Sequence, residues 1–227
     1  MSGALRALTR IAVFTIIFAL ATYTVLIIQT CIGDSPIFNQ TLGLGSPLII
    51  GGDNLYVNLV AIITNAVLVV IAYLLLARGK PRTGLVGYSL GIVAVYAILS
   101  ATLYLAIIAN PAQTCTSMPI NLDSIATFTA SIIIGSTTPL VYAYEKRWKI
   151  GSDWKPILFT LYASIVVGSL IIDTTTALAI SSIPRLMPAC MGSVIIGAYG
   201  PIDGLATAPP LGLLAGYIVI STITNKQ

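Results

Sequence analysis

The chain has no histidine in 227 residues, only three cysteines, and seven acidic side chains against eleven basic ones. Without histidine, haem cannot be held by imidazole, and histidine-assisted or metal-dependent hydrolysis loses its usual bases and ligands. Cys31, Cys115 and Cys190 are too widely spaced for a thiolate metal site. Charged residues make up 8% of the chain and hydrophobic ones 57%, so there are too few polar groups to cover a soluble surface. The composition is that of an integral membrane protein. The net charge of +4 could point to an anionic partner, but the basic residues stand in short clusters between apolar runs, where they set topology. Direct nucleic-acid contact is not expected.

The familiar enzyme signatures are missing as well. There is no P-loop, no dinucleotide fingerprint and no facing pair of carboxylates at a workable spacing. Gly51-Gly52-Asp53 falls short of the Gly-x-Gly-Asp motif of intramembrane aspartyl proteases, because position 50 is Ile50, and no Pro-Ala-Leu triplet occurs. The expectation is a protein that is not an enzyme and carries no cofactor.

What is present is a series of apolar runs, each about the 20 residues that an α-helix needs to cross a bilayer. They predict one multi-pass membrane domain over residues 1–227, an all-α bundle of six transmembrane helices near 11–29, 56–77, 85–108, 124–144, 157–180 and 203–222. The first run, Ile11–Ile28, follows Arg6 and Arg10. It is longer than a usual signal core and lacks a small-x-small cleavage site, so it reads as a helix. Asn58 and Asn65 are seven apart, on one face of the second helix, and should look into the bundle, because lipid cannot satisfy an amide. Pro139 interrupts the fourth helix within Gly135-Ser136-Thr137-Thr138-Pro139, where nearby hydroxyls can relieve the lost backbone bond. Met191–Tyr199 is apolar but too short to cross; it should be re-entrant, interfacial or packed as a plug.

With six spans both termini share one side, and ten of the eleven Lys and Arg residues fall on it. Only Arg185 does not. The positive-inside rule makes that side cytoplasmic and the location the cell membrane. Trp148 and Trp154, in the charged stretch Glu145–Lys155, suit the headgroup belt on that side. The three cysteines fall on the other, oxidising side, where one disulfide among them or three unpaired thiols are both consistent with the sequence. Asn39-Gln40-Thr41 on that side is an N-glycosylation sequon.

An acid repeats at the mouths of three apolar segments: Asp53, Asp123 and Asp203. The odd helices also align at Ala21-Thr22-Tyr23-Thr24, Ala101-Thr102-Leu103-Tyr104 and Asp173-Thr174-Thr175-Thr176. Together they read as three repeated hairpins with the acids ringing an external mouth, a cation-concentrating device. The plainer alternative is that each aspartate caps its helix. Asp173 lies well inside a span, so it and Thr174, Thr175 and Thr176 are the candidate polar interior. Its alternative is a buried, neutral acid bonded to threonines.

The expected function is a channel or transporter-like pore of unstated substrate. The alternative is a non-catalytic membrane subunit of a translocation machine for DNA uptake, secretion or respiration, powered by a separate ATPase or redox partner. The expected partners are the lipid bilayer, other membrane subunits or such an ATPase, or further copies of the chain; the glycine face Gly84, Gly87 and Gly91 is where subunits would meet.

Overall fold

The computed structural model describes residues 49–52, 55–77, 84–109, 119–148, 154–182, 194–197 and 204–224. The expected helix at 11–29 lies outside them, as do Cys31, Cys115 and Cys190.

The described chain opens on a hairpin. Strand β1, Ile49–Gly52, pairs antiparallel with β2, Leu55–Asn58, in the register Ile49↔Asn58 and Gly52↔Leu55. Two residues therefore join the strands, the shortest common hairpin connection. Helix α1, Leu59–Leu76, follows β2 without a break. It is joined by α2, Leu85–Ala109, α3, Pro119–Glu145, and α4, Trp154–Ser181. Strand β3, Val194–Ile196, then pairs parallel with β2, and α5, Gly204–Thr224, ends the described chain.

Among the described residues, four helices are long and apolar enough to cross a membrane: α2, α3 from Ala126, α4 and α5. A shorter apolar stretch, Ile62–Leu76, lies in α1. The expected spans at 85–108, 124–144, 157–180 and 203–222 are found with ends shifted by five residues or fewer. Pro119 begins α3 because the first helical position needs no backbone donor.

To the expected all-α bundle the structure adds one small element, the sheet β1-β2-β3. The second helix starts at Leu59 rather than near residue 56, because Leu55-Tyr56-Val57 carry the aromatic and β-branched side chains that favour an extended chain and find two strand partners. The short piece Met191–Tyr199 supplies one of them. Its centre is β3, and Ile196 packs with Ala177 and Leu205 against Leu55 and Val57.

Contacts between side chains set the helix directions. Ser89 bonds Ser164, the Tyr96 ring lies against Gly168, and Ser100 donates to the Ile171 carbonyl, so α2 and α4 run parallel. Tyr88 bonds Glu145 and Tyr96 bonds Ser131, so α3 runs against α2. Tyr73 meets Phe159 edge-on, and Trp154 meets Tyr217, so α1 and α5 run against α4. The bundle thus has two distinct ends. One carries the sheet. The other carries Glu145, Lys146, Arg147, Trp148, Trp154 and Lys155, with Lys146 over the Tyr142 ring and Lys155 over the Trp154 ring.

Helix α4 is the axis. It touches all four other helices as well as β2 and β3, and packs most extensively on α2. The core around it holds Ile92, Tyr96, Ile134, Leu158, Leu161, Ile165, Ile172 and Val219. Small residues bring α3 and α5 together: a side chain at Gly135 would strike the Gly212 carbonyl, and one at Gly212 would lie 2.8 Å from the Ser131 carbonyl oxygen. Lipid offers helices no hydrophobic drive to associate, so this close approach supplies the van der Waals contact that does. Pro139 is buried within α3 and deprives the Gly135 carbonyl of its helical donor; that carbonyl instead lies against Gly216. The nearby hydroxyls bond elsewhere, Ser136 to the Ile132 carbonyl at 2.8 Å and Thr137 to that of Ile133 at 2.7 Å. At its other end α3 closes with Trp148 N–H on the Ala143 carbonyl and Arg147 N–H on that of Tyr144, a Schellman pattern that puts Arg147 at φ 48°.

Candidate functional site

Asp173 lies on α4 eight residues before its end at Ser181. At 1.5 Å per residue α4 is about 42 Å long against roughly 30 Å of hydrocarbon, so a centred helix puts Asp173 about 6 Å inside the boundary. The carboxylate is half-buried, and its Oδ2 accepts the Gly197 N–H at 2.8 Å. Gly197 follows β3 at φ 70°, a backbone region closed to most side chains. Asp173 therefore ties the end of β3 to α4, and Ala177, one turn further on, packs under Ile196. Extended backbone this close to membrane depth is tolerated where protein or a polar cavity surrounds it.

Thr174 and Thr175 are half-buried, whereas Thr176 is buried. Its Oγ1 has no hydrogen-bond partner among the described residues, and neither have Tyr162 Oη and Ser169 Oγ. Ser169 sits beside the Tyr96 hydroxyl, which instead bonds Ser131 at 2.8 Å. Ser131 gives its one proton to the Thr127 carbonyl at 2.7 Å, so Tyr96 is the donor in that pair. Tyr162, Ser169 and Thr176 follow one another at seven-residue intervals, and Asp173 falls between the last two. All four share one face of α4 within about 60°. Three buried hydroxyls in line, each short of a partner among the described residues, leave capacity for water or a polar solute along about 21 Å of the bundle interior.

The sequence pointed to Asp173 and its threonines but not to Tyr162 or Ser169. The same seven-residue spacing that paired Asn58 with Asn65 would have found them. Both asparagines are buried, as expected, although Asn58 is the last residue of β2 rather than part of a helix.

The three acids of the expected mouth are only partly described. Asp53 and Asp203 lie outside the described residues; in the chain Asp53 falls between β1 and β2, six residues before α1, and Asp203 directly precedes α5. Asp123 is inside α3, four residues past its start. Among the described residues, no group of three acid or cysteine side chains is placed to hold a metal ion.

No family model matches the chain, and no curated protein or solved structure matches it.

Proposed function

We propose that the chain is a channel- or transporter-like membrane protein whose solute path follows the Tyr162–Ser169–Asp173–Thr176 face of α4. The line of partner-short hydroxyls carries this reading: each costs about 1–3 kcal/mol if left dry, so a packed interior that keeps three of them in register favours a wet or solute-binding path. Asp173 would supply the one negative charge, which favours a cation, and the β1-β2-β3 sheet would close the path at its own end. No bond of the solute is made or broken along it.

The test is flux through purified protein in vesicles loaded with a cation-sensitive dye. Asp173→Asn keeps an oxygen acceptor for Gly197 N–H but removes the charge. It should lower cation flux at least about tenfold, equivalent to about 1.4 kcal/mol, while thermal stability stays unchanged. Ser169→Ala should change flux less, because a hydroxyl contributes a dipole and not a charge. Equal flux through wild type and Asp173→Asn would remove Asp173 from the path.

A further inference from the structure

The hydroxyls along α4 divide by face. On the side that meets α2, Ser164 gives its proton to Ser89 at 2.8 Å and Ser100 donates to the Ile171 carbonyl, so the polar atoms there join the two helices. On the far side of α4, Tyr162 Oη, Ser169 Oγ and Thr176 Oγ1 are buried and have no hydrogen-bond partner among the described residues. The core beside them is filled: Ile165 and Ile172 are fully buried, and the Tyr96 ring occupies the space at Gly168. The line is a thread of single polar atoms and not a bore. We propose, resting on the function proposed above, that the cation this path carries is the proton, passed along hydroxyls and single-file water by way of Asp173.

Three features select a proton over a metal ion. The first is ligand number. A bare sodium or potassium ion must replace its hydration shell with several oxygens at once, as rings of carbonyls do in selective filters. Here the hydroxyl oxygens come singly, about 10.5 Å apart along the helix. Among the described residues no group of three acids or cysteines is placed to share an ion. The second is room. Single-file water needs a column one molecule wide, about 30 Å³ for each water, which rotamer changes of Ile165 and Ile172 can open; an ion with its shell needs several times that. A hydroxyl both donates and accepts, so it takes a proton from one water while releasing its own to the next. The third is the acceptor. Among the described side chains, the charges other than Asp173 are Glu145, Lys146, Arg147 and Lys155, all at the opposite end of the bundle, and Tyr96 is the titratable group that another helix brings to this face. A hydronium ion reaching Asp173 gives its proton to the carboxylate, leaving water and a neutral acid. The acid then releases the proton to a water nearer the sheet, leaving carboxylate and a new hydronium, while Gly197 N–H holds the carboxyl group in place. The proton gradient drives the net movement, and nothing is oxidised or reduced.

The test uses the full-length protein in vesicles enclosing a pH-sensitive dye, with a potassium gradient and valinomycin setting the membrane potential. Wild type should acidify the interior faster than protein-free vesicles do, and Asp173→Asn should return the rate to the protein-free level. Tyr162→Phe removes one hydroxyl and leaves the ring; it should slow uptake by about twofold to tenfold, since a water can take the place of the missing oxygen. Heavy water should slow wild type by more than its viscosity accounts for. Matched vesicles without valinomycin, loaded with a sodium- or potassium-sensitive dye, should show no flux above the protein-free level. Thermal unfolding of each variant before reconstitution ensures that folded proteins are compared. Sodium or potassium flux that Asp173→Asn lowers, with no proton uptake, would overturn the proton assignment and leave the path itself standing. No flux of any of these ions would remove the path along with it. Proton uptake equal in wild type, Asp173→Asn and Tyr162→Phe would send the proton by another route and overturn the proposal.

Discussion

Asp173 combines a negative charge with a hydrogen-bond acceptor, and substitution separates the two. Asparagine removes the charge and leaves an oxygen for Gly197 N–H; leucine removes both. Asp173→Leu should therefore destabilise the sheet end by about 1–3 kcal/mol, the cost of stranding a partly buried donor. Hydrogen exchange at the Gly197 amide reads this directly, with faster exchange in the leucine variant and near-native protection in the asparagine one. If leucine left the protection intact, the amide would have another acceptor and the tie between α4 and β3 would be dispensable. Tyr96 works differently: its ring fills the space that Gly168 leaves open while its hydroxyl donates to Ser131, so one side chain joins α2, α3 and α4.

At the scale of elements, the α3–α5 contact is the least forgiving part of the bundle. Gly212 lies under both the Ile165 side chain and the Ser131 carbonyl. A methyl group can displace a flexible side chain but not a helical carbonyl held by its own ladder. Gly212→Ala should thus cost about 1–3 kcal/mol through forced separation of the two helices. Gly87→Ala, on an open wall, should cost far less in the described bundle. Thermal unfolding in detergent distinguishes them, and equal midpoints would show that α3 and α5 can slide apart freely. The strands teach a second lesson about elements. Leu55-Tyr56-Val57 and Val194-Ile195-Ile196 are apolar enough to be mistaken for parts of spans. Whether such a stretch becomes strand or helix depends on a partner far away in the chain, which no local pattern contains.

For the whole molecule, the asymmetry between the ends is the main result. Lys146, Arg147 and Lys155 lie at one end with both tryptophans, and the sheet lies at the other. Applied to this arrangement, the positive-inside rule predicts a sheet on the outer side. In cysteine-free protein in intact cells, Gln113→Cys, in the connection between α2 and α3, should react with a membrane-impermeant maleimide. Arg147→Cys should react only after the cells are opened. The reverse pattern would invert the protein and place Asp173 nearer the cytoplasm. The exposed apolar faces of α1 (Val67, Val70, Leu74) and α2 (Val86, Leu90, Ile98, Leu105) would then still meet lipid, since apolar contact is indifferent to orientation.

The sequence alone determined the apolar, membrane-compatible class and the limits of four helices long enough to cross a bilayer, because a run of about 20 apolar residues is a local property. It also singled out Asp173, since an acid in a span stands out wherever it sits. Tertiary structure decided the rest. The pairing of residues 55–57 with 194–196, the tie from Asp173 to Gly197 and the placing of Gly135 against Gly212 each join positions at least 24 residues apart. Composition and period describe one segment at a time. Which segments share a face is settled only when the helices pack and their backbones either touch or leave a groove.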